Sequence, residues 1–176
     1  MEAYWRSLAS RTGLHPGDLD QLDNLILALL HDPQLYPWPH RLAHQCIPED
    51  AVRTRLVTAG ILQVGTDTFS MEHDRVLNWA AARALLKTEQ GGQASIALAA
   101  ERFAALRPFN AATGTVSWRL GYLLMDLFAV ALNSRSQTDA LELLHTLSED
   151  PSHHEIDASF YSYLLPTLGV DALPFY

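Results

Sequence analysis

The stretch EDAVRTRLVTAGILQVGTDTFSMEHDRVLNWAAARAL, residues 49–85, changes its apolar period twice. Its first part places Val52 and Leu56 on one helical face. Gly60 follows, where a helix-ending glycine belongs. The period then drops to two. Leu62, Val64, Phe69 and Met71 alternate with polar residues on either side of Gly65-Thr66-Asp67, which predicts a short β-hairpin. Helical spacing resumes from about His73 to Thr88, until Gly91-Gly92 interrupts it.

Upstream, Leu19, Leu22, Leu25, Ile26, Leu29 and Leu30 fall on one face of a helix predicted from about Asp18 to His31. Asp18 and Gln21 have capping-box spacing. DPQLYPWP at 32–39 reads as a proline-rich turn, after which Pro39 opens a short helix, HRLAHQC. Three helices followed by a hairpin are the order of a winged-helix unit, here residues 18–90. Residues 1–17 read as an N-terminal helix, with Trp5 and Leu8 facing the body, and a linker.

Downstream the pattern is helical throughout. QASIALAAERFAAL aligns Ile96, Ala100, Phe103 and Leu106, and RPFNAATGTV at 107–116 reads as a loop. Ser117 caps a helix that Asn133 ends, Ser136-x-x-Asp139 opens the next, and EIDASFYSYLL runs into Pro166. The fold class expected is therefore mainly α: a winged-helix-like unit with one short β-hairpin, then an antiparallel, α-solenoid-like bundle over 91–176. No repeat of fixed period is visible. Phe160, Tyr161, Tyr163, Phe175 and Tyr176 form an aromatic cluster suited to a contact surface.

Composition narrows the function. The 176 residues carry a formal net charge of −8, and 48% of them are hydrophobic. That suits a folded body and repels both phosphate backbones and anionic membranes. Residues 18–90 hold ten acidic and six basic side chains. A DNA-binding winged helix would use the Arg53 and Arg55 helix as its reader, yet Glu49 and Asp50 begin that helix. The most apolar run, 120–132, is too short to span a bilayer and contains Asp126. MEAYWRSLAS lacks the basic start and apolar core of a secretion signal. Cys46 is the sole cysteine, so no intrachain disulfide forms, which fits a reducing, cytoplasmic location.

Sites are sparse. His40, His44 and Cys46 are weak metal candidates: two imidazoles share a helical face with a thiol nearby, but no second ligand pair accompanies them. His44 and Cys46 are two apart and do not face each other on a helix, and no G-x-S-x-G motif is present, so no catalytic residue is assigned. His153-His154-Glu155 and Glu149-Asp150 read as capping and solvated turn residues. Asp126 inside an apolar helix needs a partner; Arg102, Arg107 and Arg119 are the candidates.

Residues 49–85 also resemble the winged-helix region of the signal-transduction ATPases with numerous domains, the STAND class. Its members include plant disease-resistance proteins, animal apoptotic and inflammasome ATPases and large bacterial regulators. The residues that carry the resemblance are Leu56, Gly60, Ile61, Leu62, Phe69, His73, Asp74 and Val76, under a quarter of the chain. In that family the winged helix follows a nucleotide-binding domain and precedes helical repeats. No G-x-x-x-x-G-K-[ST] loop occurs in this chain, so it is expected to hold no cofactor and hydrolyse no ATP by itself. The resemblance implies ADP or ATP in a parent protein. It also implies that His73 contacts ADP phosphate there, if a nucleotide-binding domain is present; the plainer reading makes His73 a helix cap or has it bond a nearby carbonyl.

The function these observations lead to is a non-catalytic regulatory module coupling a nucleotide-binding domain to a helical sensor region. The alternatives are a stand-alone helical adaptor for a protein partner, and a winged-helix DNA-binding regulator. The partner expected is a protein or the adjoining nucleotide-binding domain, with no membrane and no nucleic acid.

Overall fold

Helix α1 (Pro16–His31) begins two residues before the sequence suggested. Pro16 occupies its first position, where the missing N–H costs nothing. Asp18 is then the third helical residue, and its Oδ2 accepts the His15 N–H at 2.9 Å. Asp18 thus closes the cap from inside the helix, whereas capping-box spacing had paired it with Gln21. The computed structural model describes residues 13–88, 92–106, 120–149, 160 and 162. The helix expected at 2–12, the loop at 107–116, most of EIDASFYSYLL, and the terminal aromatic cluster apart from Phe160 lie outside the described residues.

A short 3₁₀ turn (Pro33–Leu35) leads to strand β1 (Trp38–Pro39), helix α2 (His40–Cys46) and helix α3 (Asp50–Thr58). α3 ends in a Schellman motif: the Ile61 N–H bonds Leu56 O at 3.0 Å and the Gly60 N–H bonds Val57 O at 2.9 Å. Gly60 has φ +67°, a conformation that L side chains adopt at a cost. Strands β2 (Leu62–Val64) and β3 (Thr68–Met71) form the expected hairpin. The sheet has three strands in the order β1-β3-β2, all antiparallel, with Trp38 opposite Phe69 and Leu62 opposite Met71. β1 was read as a turn because it is two residues long and half of it is proline. Proline is tolerated there because β1 is an edge. Leu62, Phe69 and Met71 are buried, but Val64 is 50% exposed, so the alternation fails at the hairpin tip.

Helix α4 (Asp74–Leu85) follows the hairpin directly and is shorter than the spacing implied. Residues 86–88 and 92–94 lie side by side: the Ala94 N–H bonds Leu86 O at 2.9 Å, and the Thr88 N–H bonds Gly92 O at 2.8 Å. Helix α5 (Ile96–Ala105) starts at Ser95, whose Oγ accepts the Leu98 N–H. Helix α6 (Leu120–Ser134) passes through Asn133, which does not end it; Asn133 Nδ2 bonds Ala129 O instead. Helix α7 (Gln137–Ser148) carries the expected Ser136 cap on the Asp139 N–H. The protein is thus mainly helical, with one small antiparallel sheet.

α4 is central. It packs most extensively on α6 and α1, and also touches α5 and β3. Nine of its residues are buried, including Val76, Leu77, Trp79 and Leu85. All four of its alanines are fully covered on a helix pressed from several sides, and their small size lets neighbouring helices approach. The buried apolar residues form one continuous core running from Leu14 in front of α1 to Phe160, where Phe128 meets Phe160 edge to face at 6.2 Å.

Candidate functional site

Helix α4 carries an ionic attachment near each end, and these are the densest polar chemistry in the described residues. In its first turn, Arg75 Nη2 lies 2.9 Å from Asp126 Oδ1 on α6. The Arg75 guanidinium also sits over the Tyr122 ring, 5.8 Å from its centroid. Asp126 is 3% exposed, and its Oδ2 has no hydrogen-bond partner. Burial pushes this carboxyl up to about 6, and the Arg75 charge offsets only part of that cost. Of the partners expected from sequence, Arg102 does not meet it. Arg102 instead donates to Lys87 O, and residues 107 and 119 lie outside the described residues.

At the other end, Arg83 Nη2 bonds Asp23 Oδ2 of α1 at 3.0 Å, and Lys87 Nζ reaches both Asp23 and Asp20. Burial raises the Asp23 carboxyl above its ordinary range, with the two cations opposing it. Arg83 lies over Trp79, 4.9 Å from the ring centroid. Arg135, at the C-terminal end of α6, donates to the carbonyls of Leu86 and Ala94 at 2.5 and 2.7 Å. It thereby ties Leu86, just after α4, and Ala94, just before α5, to the end of α6.

His73, the one binding residue suggested by sequence, is the N-cap of α4 and is exposed. It is a helix cap, as in the plainer reading, but through its backbone: its side chain makes no capping hydrogen bond. Its carbonyl instead accepts from the Val76 and Leu77 N–H groups. Asp74, also exposed, adds a negative charge to the first turn.

The weak metal candidates are partly brought together. His40 and His44 stack with centroids 6.0 Å apart, as their i, i+4 spacing dictates. Both rings lean on Phe69 of β3, at 4.9 and 6.2 Å. His40 Nε2 is buried without a partner. Cys46 is half-buried, and burial raises its thiol pKa, which works against thiolate chemistry. Among the described residues no group of three His, Cys, Asp or Glu side chains is arranged to hold a metal.

The two arginines of α3 face inward commitments. Arg55 grips Asp18 with Nε at 2.9 Å and Nη2 at 2.6 Å. This bidentate bond holds the Asp18 carboxyl below its usual range. Arg53 bonds the Ile47 carbonyl and Asp50.

Sequence reasoning missed the common element, a set of three buried aspartates each held by an arginine from another helix: Asp18–Arg55, Asp23–Arg83 and Asp126–Arg75. A signal existed. Asp18 is four residues from Leu22, Asp23 three from Ile26, and Asp126 three from Leu123 and four from Val130, so each shares the apolar face of its helix. In comparison with known proteins, the chain matches no family model, no curated protein and no solved structure.

Proposed function

We propose that this chain is a non-catalytic coupling module of a STAND-like regulator, in which a winged-helix-like unit passes the state of a nucleotide-binding domain to a helical sensor region. The element order helix, strand, helix, helix, strand, strand, with sheet order β1-β3-β2, supports the winged-helix part of this reading. The observation that carries the coupling is α4. Its first residue follows His73 at the exposed end of the hairpin, and its body packs on both α1 and α6. A displacement at His73 therefore acts on one rigid helix shared by the sheet-bearing part and the helices after it.

His73 is accessible and stands at the N-terminus of a helix, a geometry suited to a phosphate carried by another domain. Asp74 disfavours free anions at the same turn, so the contact requires a nucleotide held from the far side. The engagement of Arg53 and Arg55 within the fold favours a protein-facing role over a DNA-facing one, since phosphate binding would need both to leave carboxylates or carbonyls.

The test is to sequence the native transcript and, where a P-loop domain is encoded with this chain, to measure ADP release from the joined protein. Faster release from His73→Ala is expected. A transcript with no nucleotide-binding domain, or unchanged release, overturns the reading.

A further inference from the structure

Independently of that reading, we propose that the cavity between α1, α4 and α6 is a binding site for a small organic carboxylate with an apolar body. The cavity has a volume of about 460 Å³, within the range of small-molecule sites. Its floor is apolar, formed by Leu14, Leu19, Trp79, Leu86 and Val130. Its wall carries three cations, Arg83, Lys87 and Arg135, against one carboxylate, Asp20. Asp23 behind the wall and Asp139, 4.0 Å from Arg135, balance these cations, so the positive charge prevails only among the groups that line the cavity.

The three cations are fixed in place. Arg83 is stacked on Trp79 and bonded to Asp23, which uses one of the guanidinium's five N–H donors. Arg135 is 6% exposed, held by two carbonyls, and 4.0 Å from Asp139 Oδ2. Lys87 bonds Asp23, which is buried behind the wall, and Asp20, whose side chain is 66% exposed. An entering carboxylate replaces Asp20 on Lys87 at little cost, because Asp20 returns to water. It gains charge-assisted hydrogen bonds from groups whose rotamers are already set. The apolar body then lies against Leu19 and the rest of the apolar lining. A neutral molecule of the same shape gains only the second part. A free inorganic anion gains only the first.

The site is separate from His73. Arg83 lies ten residues along α4 from that end, about 15 Å at 1.5 Å per residue. Its position gives it a consequence: a ligand would touch α1, α4 and the end of α6 together, the same elements that the ion pairs join.

Calorimetry with the full chain tests the proposal, using 2-naphthoate as probe and 2-naphthylmethanol as its neutral counterpart. Saturable one-to-one binding of 2-naphthoate below about 1 mM is expected, with the alcohol at least about tenfold weaker. Leu19→Trp, which fills the floor, is expected to weaken 2-naphthoate by about tenfold or more while the melting temperature stays close to that of the parent. No saturable binding by about 1 mM, equal binding of the alcohol, or unchanged binding by a folded Leu19→Trp protein overturns it. If Leu19→Trp does not fold, the charge comparison on the unmodified chain decides alone.

Discussion

Arg75 Nη2 stands 2.9 Å from Asp126 Oδ1, yet the carboxyl it faces is pushed up to about 6. The pair joins an arginine half in water to an aspartate almost wholly out of it. Desolvation falls on one partner only, and one Asp126 oxygen is left without a hydrogen bond. The ion pair thus fixes where α4 meets α6 more than it strengthens the fold.

The pH dependence follows from that imbalance. The folded Asp126 carboxyl keeps its proton to about 6, against 3.8 for the ordinary group. Between these values the folded state binds more protons than the unfolded one, so this group's contribution to stability falls as pH rises through the window and levels off above it. Asp126→Asn removes that contribution. Urea unfolding at about pH 4.5 and about pH 7.5 should show a less negative change across the interval in the variant than in the parent. An identical change in both would contradict the assignment.

Asp18 behaves in the opposite sense. Arg55 holds its carboxyl below 3.8, so the pair stabilises the fold above that value and the benefit is lost as pH falls below it. Arg55→Ala leaves a buried carboxylate with the His15 N–H alone and should destabilise the fold near neutrality. The cost should shrink in acid. A penalty that is constant down to about pH 3 would show that packing of the Arg55 stem, and not its charge, is responsible.

Two glycines should respond with opposite sign to alanine. Gly60 has φ +67°, so Gly60→Ala should destabilise by about 1–2 kcal/mol. Gly121 is helical in α6 and has nothing within 4 Å of an added Cβ. Gly121→Ala should stabilise by about 0.5 kcal/mol. Thermal or urea unfolding of both variants checks the pair; a neutral Gly60→Ala would mean that α3 ends differently.

Duplex DNA should not bind measurably even at low salt. Arg53 and Arg55 are engaged on Asp50, Ile47 and Asp18, and the surrounding charge is negative. Fluorescence anisotropy at about 20 mM salt tests this: a flat titration is expected, and binding that weakens steeply with added salt would favour a nucleic-acid role.

Much of the helical framework was legible because its signals are local. The α3 end at Gly60, the hairpin and the Ser136 cap each depend on residues within a few positions of one another. What escaped was long-range or short-lived along the chain. β1 spans two residues and contains Pro39, so neither alternation nor propensity marks it. The partner of Asp126 lies 51 positions away on another helix. Spacing could say that Asp126 faces the core, but not which arginine arrives there. For the candidate site, the position of His73 at a helix start was readable, while the cavity lined by Trp79, Arg83 and Arg135 arises only once three helices converge.

A coupling role for α4 requires that it tie the sheet-bearing part and the later helices into one cooperative body. Native-state hydrogen exchange in increasing denaturant tests this most directly. The slowest amides of α1, α4 and α6 should merge onto a single opening free energy. If α6 and α7 exchange through a separate, lower-energy opening while α1 and α4 stay protected, α4 is not a shared coupling element and the account fails.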